Sequence, residues 1–363
     1  MQSSELRLAP EQLILWVEKA LDLEKWSIAR LVSVFETETA QASVCRTTVE
    51  AALAERSGQC RNAYIVGITG MPGAGKSSLI GVLCRQILMT HPTLSVAVLA
   101  VDPSSPESGG ALLGDRTRVQ LPVGEKRLFF RSQSTGLSLG GIGAKTFQVI
   151  RLLRHLFDLV IIETVGIGQN EVNVQKICHH VQLVLQPFSG DQVQFMKAGV
   201  MEIPDSFVIN KCDETQMAQE SLHMLSTSLT VTGRAVSSER SNKQRQQKKV
   251  LLTSATQNTG VSELADFMLC LRECAPRTSF YEMEMAFLRD RAEQAFGTYG
   301  KRCLDHLLSA GENSVNKTNN LYGGLKSYDQ FEASFFAMMQ RSLPTPEYFK
   351  EQYLLNTPKV NAR

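Results

Sequence analysis

The chain has 363 residues, of which 43% are hydrophobic and 20% are charged, and its formal net charge is +2 at pH 7. This composition is typical of a folded globular protein and excludes a disordered chain. The near-neutral charge does not indicate a nucleic acid or an acidic membrane as a partner. Because the sequence lacks an apolar run of about 18 residues, no membrane-spanning helix is predicted.

The N-terminus and the cysteines indicate a reducing compartment. Residues 1–5 read Met-Gln-Ser-Ser-Glu, which is neither the basic start of a secretory signal nor an arginine-rich transit peptide. The eight cysteines show no disulfide-like spacing in a chain of this length. We therefore expect a cytoplasmic protein, or a mitochondrial matrix protein if a targeting segment has been removed.

Residues 1–60 show apolar side chains at helical spacing, and from about residue 61 short apolar runs alternate with helical stretches. This alternation predicts a mostly parallel sheet with helices on both faces. The runs that predict strands are Tyr64–Ile68, Val96–Val101, Leu128–Phe130, Leu159–Ile162, Val181–Leu185, Phe207–Ile209 and Val250–Leu252.

After residue 276 the pattern is helical again, over Tyr281–Leu308 and Tyr328–Met339, around a turn-rich segment at Gly311–Gly324. The polar stretch Ser237–Lys249 is interpreted as a solvated connector, because it has no aromatic side chains for stacking on bases. We predict three parts: a helical segment over residues 1–60, an α/β domain over residues 61–275, and a helical arm over residues 276–363.

A phosphate-binding loop is predicted at Gly70–Ser77, which fits G-x-x-x-x-G-K-[ST] between a strand and a helix. Backbone N–H groups of such a loop bind phosphate oxygens, and the helix N-terminus adds partial positive charge. Lys76 is predicted to reach the β- and γ-phosphates and Ser77 to ligate Mg²⁺. The fold class is therefore a doubly wound P-loop NTPase with N- and C-terminal helical extensions. The predicted phosphate-binding residues are Gly70, Met71, Pro72, Gly73, Ala74, Gly75, Lys76, Ser77 and Ser78.

The base is predicted to be guanine, from Asn210-Lys211-Cys212-Asp213 after the strand Phe207–Ile209. An aspartate in N-K-x-D can accept from N1–H and from the 2-amino group of guanine, whereas adenine would leave the carboxylate unpaired. The next strand ends in Thr253-Ser254-Ala255, where GTPases place a backbone N–H on the guanine O6. The predicted base-binding residues are Asn210, Lys211, Asp213, Ser254, Ala255 and Thr256.

Three acids are candidates for the metal, together with Ser77. Asp102 follows the run Val96–Val101, and Glu163 begins Glu163-Thr164-Val165-Gly166, where many GTPases have D-x-x-G. Gly166 is predicted to bind the γ-phosphate through its N–H. Asp115, in Leu113–Thr117, is the third acid. The simpler interpretations are an Asp-Pro turn at Asp102 and a solvated loop at Asp115.

Hydrolysis is predicted to depend on Lys76, Asp102 and Glu163. Ras-type enzymes orient the attacking water with a glutamine directly after the glycine of D-x-x-G. Here that position is Ile167, which cannot orient water, and Gln169 is out of register. We therefore expect slow intrinsic hydrolysis that a partner or a rearranged loop accelerates.

Together these stretches resemble the GTPases that escort adenosylcobalamin-dependent acyl-CoA mutases such as methylmalonyl-CoA mutase (the MeaB type), once described as arginine/ornithine transport kinases. The resemblance covers about residues 25–275 and is weaker in the helical C-terminus. The matching stretches are Gly67–Ser77, Val98–Ser105, Gly109-Gly110, Leu113–Arg118, Leu139–Gly141, Glu163–Gln169 and Asn210–Asp213.

The resemblance implies a homodimer built through C-terminal helices, and GTP hydrolysis coupled to loading or protecting a B12 enzyme. It also implies that Asp102, Asp115 and Glu163 surround the metal. A switch loop in the family corresponds to Gly190-Asp191, Gln194 and Lys197, which could also be one polar face of a helix. The chain departs from the family at Phe188, where a glycine is usual, and at Ala144, where an arginine is usual.

Three other functions stay open from the residues alone: a metallochaperone GTPase for another metalloenzyme, a kinase with the same P-loop, and a GTP-binding module that does not hydrolyse. Against the first, the chain has no His-rich tract. Two cysteine groups could suggest a metal, Cys178-His179-His180 and the pair Cys270 and Cys274. Adjacent helical residues point in different directions, and the pair has no second ligand pair in the sequence, so both are interpreted as structural.

Overall fold

The computed structural model describes residues 8–102, 124–134, 143–164, 171–187, 203–236, 248–274, 279–312 and 328–342. The chain divides into two units, and the division falls between Ser279 and Phe280. The predicted three-part division of the chain stays a prediction.

The described strands of the first unit are β1 (Tyr64–Gly70), β2 (Val96–Asp102), β3 (Leu128–Ser134), β4 (Leu159–Thr164), β5 (His180–Leu185), β6 (Ser206–Ile209) and β7 (Lys249–Leu252). They form one parallel sheet in the order β3-β2-β4-β1-β5-β6-β7. All seven predicted runs are strands, and the α/β prediction is confirmed. The strands β1 to β4 extend beyond the predicted runs at the carboxyl edge, whereas β5, β6 and β7 each begin one polar residue earlier than predicted.

The first unit contains the helices α1 (Pro10–Leu21), α2 (Lys25–Glu36), α3 (Ala40–Glu55), α4 (Lys76–Thr90), α5 (Ala144–Leu156), α6 (Glu171–Ile177), α7 (Thr215–Val236) and α8 (Val261–Cys274). The apolar spacing of residues 1–60 corresponds to the three helices α1, α2 and α3, which a short 3-10 helix at Ser57–Gln59 follows.

Helices cover both faces of the sheet. On one face, residues of α4 and α8 share a buried cluster with Val184 of β5. On the other face, Leu225 of α7 packs with Leu183 of β5. Because successive strand residues point to opposite faces, α4 and α8 lie on the opposite side of the sheet from α7. This confirms the predicted doubly wound arrangement.

The N-terminal helices are tied to the first unit through polar contacts. Glu36, the last residue of α2, accepts hydrogen bonds from Arg131 Nε and Gln133 Nε2 of β3, each at 2.9 Å. Arg151 of α5 forms an ion pair with Glu50 of α3. Arg61 donates both to the carbonyl oxygen of Leu21 in α1, at 3.2 Å, and to that of Leu156 in α5, at 2.9 Å. These contacts join α2 and α3 to β3 and α5 within the first unit.

The second unit contains α9 (Phe280–Glu312) and α10 (Tyr328–Ser342). Gly297 interrupts α9 with a positive φ of 66°. The two helices contact each other through an ion pair between Arg291 and Glu332 and through the rings of Phe296 and Phe336, whose centroids are 5.4 Å apart. Both predicted C-terminal helices are confirmed, and most of the turn-rich segment lies outside the described residues.

None of the helices in the described part of the chain combines the length and the apolar composition that crossing a bilayer requires.

Candidate functional site

The loop between β1 and α4 has the backbone of a phosphate cradle. Gly75 precedes the helix with φ +83°, a left-handed conformation that glycine adopts without strain. A Cβ at this position would lie 2.6 Å from Nδ2 of Asn210. Gly75 is therefore required both for the turn and for the close approach of the Asn210 amide.

Lys76 is the first residue of α4, and its ammonium group lies within the loop. Its Nζ donates to the carbonyl oxygen of Gly70 at 2.8 Å and to that of Met71 at 3.1 Å. The residue is 8% exposed. A cation in the hollow of the loop, next to a helix N-terminus, is suited to binding negatively charged phosphate oxygens.

Ser77 and Glu163 meet at the carboxyl edge of the sheet. The Ser77 hydroxyl donates to Oε1 of Glu163 at 2.6 Å, although the two residues come from α4 and β4. Glu163 is 4% exposed and is paired in register between Ile68 of β1 and Ala100 of β2. The central position of β4 thus places a buried carboxylate directly beside the start of the phosphate-loop helix.

Other predicted metal and switch residues are less completely placed. Asp102 is the last residue of β2 and pairs through its backbone with Ser134 of β3, at the same edge as Glu163. Its side chain is outside what the structure describes. Also outside the described residues are Asp115, Gly166, Ile167, Gln169, Phe188, Gly190, Asp191, Gln194 and Lys197. Ala144 is the first residue of α5.

Asn210 connects the phosphate loop to the predicted base-binding loops. Its Nδ2 donates to the carbonyl oxygen of Ala74 at 2.9 Å, and its Oδ1 accepts from the backbone N–H of Ala255 at 3.3 Å. The Thr253 hydroxyl also donates to Oδ1 at 3.2 Å. Asn210 is 1% exposed, so this amide is a buried three-way junction. Sequence reasoning assigned Asn210 only to the base, because the partner carbonyl is 136 positions earlier in the chain.

Asp213 lies at the exposed rim of the site and is oriented by Ser254. The Ser254 hydroxyl donates to Oδ1 of Asp213 at 2.5 Å and accepts from the N–H of Gln257 at 3.0 Å. Ser254 itself is fully buried, whereas Asp213 and Thr256 are exposed. The carboxylate therefore stands at the surface on a fixed support, as an acceptor for a ligand would.

The remaining residues of the N-K-x-D motif form a tight turn after β6. Lys211 has a positive φ of 64°, and its Nζ donates to Oε1 of Gln186 at 3.4 Å. The N–H of Cys212 donates to the carbonyl oxygen of Thr253 at 3.0 Å, and burial raises the pKa of the Cys212 thiol. This backbone bond holds the turn against the end of β7. The sequence analysis names Thr253 as part of the motif after β7 but assigns it no role, and the structure shows that it supports both Asn210 and Cys212.

The side chains of His179 and His180, in the group Cys178-His179-His180, make hydrogen bonds within the protein. His179 accepts from the N–H of Ile65 through Nδ1 at 2.9 Å, while His180 Nε2 lies 2.7 Å from the Ser206 hydroxyl. Burial raises the pKa of the Cys178 thiol well above its usual range. Contrary to the prediction, the three residues are not helical, because α6 ends at Ile177 and His180 begins β5, and their side chains have three different surroundings. In the described ranges no three His, Cys, Asp or Glu side chains are grouped as a metal would need.

Comparison with known proteins identifies the family. Residues 28–298 match the sequence model of the family described as methylmalonyl Co-A mutase-associated GTPase MeaB. The chain belongs to the MeaB family. The match includes the phosphate loop, Glu163 and the N-K-x-D motif, and it extends into α9.

Individual relatives match shorter stretches of this chain than the family model does. A Pyrococcus abyssi protein, provisionally named a GTPase, is 43% identical over 221 residues, which are 60% of this chain and 65% of the relative. The mitochondrial methylmalonic aciduria type A homolog of Caenorhabditis briggsae is 42% identical over 151 residues, 41% of this chain and 36% of that protein. The chain thus spans less than two thirds of the length of these relatives.

One solved structure has the same fold over nearly the whole chain. The crystal structure of a LAO/AO transport system kinase matches with a TM-score of 0.55 at 21% identity, over 96% of this chain and 99% of that one. At this identity the likeness shows the P-loop α/β fold alone.

Proposed function

We propose that this MeaB-family protein binds GTP with Mg²⁺, hydrolyses it slowly, and acts as a chaperone or regulator of an adenosylcobalamin-dependent acyl-CoA mutase. GTP hydrolysis would be coupled to loading or protecting the cofactor of that enzyme. Family membership supports the GTPase activity, and the geometry around Asn210 supports the way in which the nucleotide is held.

The observation that carries the proposal is the buried junction at Asn210. The amide of Asn210 bonds both to the phosphate loop, at Ala74, and to the loop after β7, at Ala255. A phosphate site and a base site joined by a rigid buried contact fit a ligand that has both parts, which is a nucleotide. Asp213, held by Ser254, provides the acceptor that distinguishes guanine from adenine.

In this proposal the phosphates lie against the backbone of Gly70–Ser77, and Lys76 exchanges its loop carbonyls for phosphate oxygens. A positive charge held in place before the reaction stabilises the charge that develops on the transferred phosphoryl group. Gly166 would add an N–H to the γ-phosphate. Lys211 and Thr256 would flank the base, next to Asp213 and Ala255.

Mg²⁺ fits the donors at the carboxyl edge of the sheet. The Ser77 hydroxyl and the Glu163 carboxylate are hard oxygen ligands, and their oxygens lie 2.6 Å apart. We assign the ion to these two residues together with Asp102 and Asp115. When bound, it would neutralise negative charge on the phosphate oxygens. Glu163 and Asp102 come from the adjacent strands β4 and β2, so both would reach the ion from the same edge of the sheet.

The slow intrinsic rate rests on Ile167. A branched apolar side chain at the position that follows Gly166 cannot orient the attacking water, so the chain needs a donor from a moved loop or from a partner. This would make hydrolysis responsive to the presence of the client enzyme.

The mutase partner rests on names rather than on geometry. The family is described as mutase-associated, and the Caenorhabditis briggsae relative is named for methylmalonic aciduria. We propose a methylmalonyl-CoA mutase type of client, a homodimer formed through the helices after residue 276, and a site of action in the cytoplasm or the mitochondrial matrix, wherever the mutase is found.

The deciding experiment measures steady-state turnover of GTP and of ATP with Mg²⁺, with and without a purified methylmalonyl-CoA mutase. We expect slow hydrolysis of GTP only, and a clear increase when the mutase is added. Lys76→Ala serves as the control for contaminating activity, because loss of the loop cation should abolish tight nucleotide binding. ATP preference would contradict the base assignment, and GTP turnover indifferent to the mutase would contradict the partner.

A further inference from the structure

The eight cysteines of the chain fall into three groups by exposure. Cys45, Cys84 and Cys178 are buried, and Cys60, Cys212 and Cys303 are partly buried. Only Cys270 and Cys274 are exposed. Cysteine is among the residues most often buried in proteins, so an exposed pair is unusual and has no role in the core.

These two exposed cysteines are also neighbours. Both lie on α8, four positions apart, and residues at this spacing lie on the same face of a helix. The proximity of Cys270 is the main cause of the raised pKa of Cys274, in agreement with this spacing. The chain therefore presents two sulfur atoms side by side toward solvent, on a rigid helical support.

The helical spacing does not favour a disulfide between them. Cβ atoms at this spacing in a helix are about 5–6 Å apart, whereas a disulfide needs about 3.5–4.5 Å. Closing an S–S bond would require α8 to unwind at its last turn. A metal ion between the sulfurs spans a longer gap, because each metal–sulfur bond adds about 2.3 Å.

We propose that Cys270 and Cys274 form a two-coordinate site for a soft, thiophilic monovalent cation of the Cu⁺ class. Soft thiolate ligands select such ions, and two sulfurs suffice for them, whereas zinc would need about four ligands. Binding replaces two S–H bonds by two metal–sulfur bonds and releases two protons, so the bound site carries one negative charge. Affinity should therefore fall as the pH is lowered.

The site lies at the far edge of the sheet from the nucleotide. Both α4 and α8 start at the carboxyl edge and run back along the sheet, and α8 ends at Cys274. Near that end Arg272 donates from Nη2 to Oδ1 of Asp158 at 3.1 Å, and Asp158 directly precedes β4. The thiols and the phosphate loop are thus separated by about the length of a strand, roughly 20 Å. Cation binding should therefore leave GTP affinity unchanged. The cation site and the proposed function can be tested independently of each other.

In the test, the full-length reduced protein competes with the chelator bicinchoninate for Cu⁺ in the absence of oxygen. The absorbance of the Cu⁺–chelator complex measures how much Cu⁺ the protein removes. We expect the parent to remove about one equivalent of Cu⁺ per chain. Because the second thiol binds within the same molecule, Cys270→Ser and Cys274→Ser should each weaken binding by on the order of 100-fold. Cys303→Ser, which removes a half-buried thiol of the second unit, should behave as the parent does.

Three results would overturn the proposal: no removal of Cu⁺ by the parent, single variants that compete as well as the parent, or an equal loss in Cys303→Ser. Circular dichroism of each variant verifies that the serine substitutions, at exposed positions, leave the fold intact.

Discussion

At the scale of single residues, the site depends on a few buried polar groups with several partners. Asn210 and Glu163 are almost fully buried, and each bonds to an element distant in sequence. Their residue types could be predicted to bind nucleotide or metal from the motifs that contain them. Their contacts with Ala74 and Ser77 could not, because a motif does not specify which carbonyl or hydroxyl folding brings opposite it.

Asn210→Ala should weaken GDP and GTP binding at least about tenfold. The change leaves the Ala74 carbonyl and the Ala255 N–H without this partner, and unsatisfied buried polar groups cost about 1–3 kcal/mol each. Titration with a fluorescent guanine nucleotide measures the affinity. Gln257→Ala, at an exposed position of the neighbouring loop, is the control. A folded Asn210→Ala protein with parental affinity would show that the junction does not matter.

Asp213→Asn should lower the preference for GTP and raise that for XTP, by about tenfold or more each. The asparagine amide can donate to the oxygen at C2 of xanthine, but it meets the 2-amino group of guanine as donor against donor. Competition between the two nucleotides for one labelled ligand gives the ratio. Glu214→Gln removes the same charge from the adjacent position and should change nothing. Equal GTP selectivity in both variants would refute the role of Asp213.

At the scale of elements, the strands could be predicted because a parallel sheet covered on both sides needs continuous apolar runs. The same runs carry no information about their neighbours, so the central place of β4 between β2 and β1 was not predictable. That place is what brings Glu163 beside Ser77. The close packing of α6 against β1 could not be predicted either. It depends on Gly67 having no side chain.

Gly67→Ala should destabilise the first unit by about 1–3 kcal/mol. A Cβ there would lie 2.4 Å from Cγ1 of Val174, in a tightly packed interior where α6 would have to move away from β1. Val174→Ala in the same chain should recover part of the loss, because it removes the clashing methyl group. Urea unfolding of the two single variants and the double variant forms a mutant cycle. Strict additivity of the two single effects would argue against a direct contact.

At the scale of the whole molecule, stability should fall as the pH drops from neutral. Burial, with the nearby charges of Arg154 and Arg151, lowers the pKa of His155 to about 3. The unfolded chain, with a histidine pKa near 6.5, therefore binds more protons than the folded one between about pH 6.5 and 3. Protonation then favours unfolding in that window, with a slope of up to about 1.4 kcal/mol per pH unit.

Thermal unfolding measured between pH 7.5 and 5 checks this slope. His155→Asn keeps a polar side chain beside Arg154 but removes the titrating group, so its melting temperature should depend less steeply on pH. His223→Asn, at an exposed position of α7, should follow the parent curve. Identical pH dependence in His155→Asn and the parent would show that other groups set the acid stability.

The double attachment of Asn210 limits how this protein can change over evolutionary time. A substitution there would alter the hold on the phosphates and the shape of the base site together, so selection cannot adjust either one alone at that position. Asp213 has more freedom, since it stands at the exposed rim and its support from Ser254 comes from a different loop. A change in base preference during evolution would therefore begin at Asp213, while Asn210 stays unchanged.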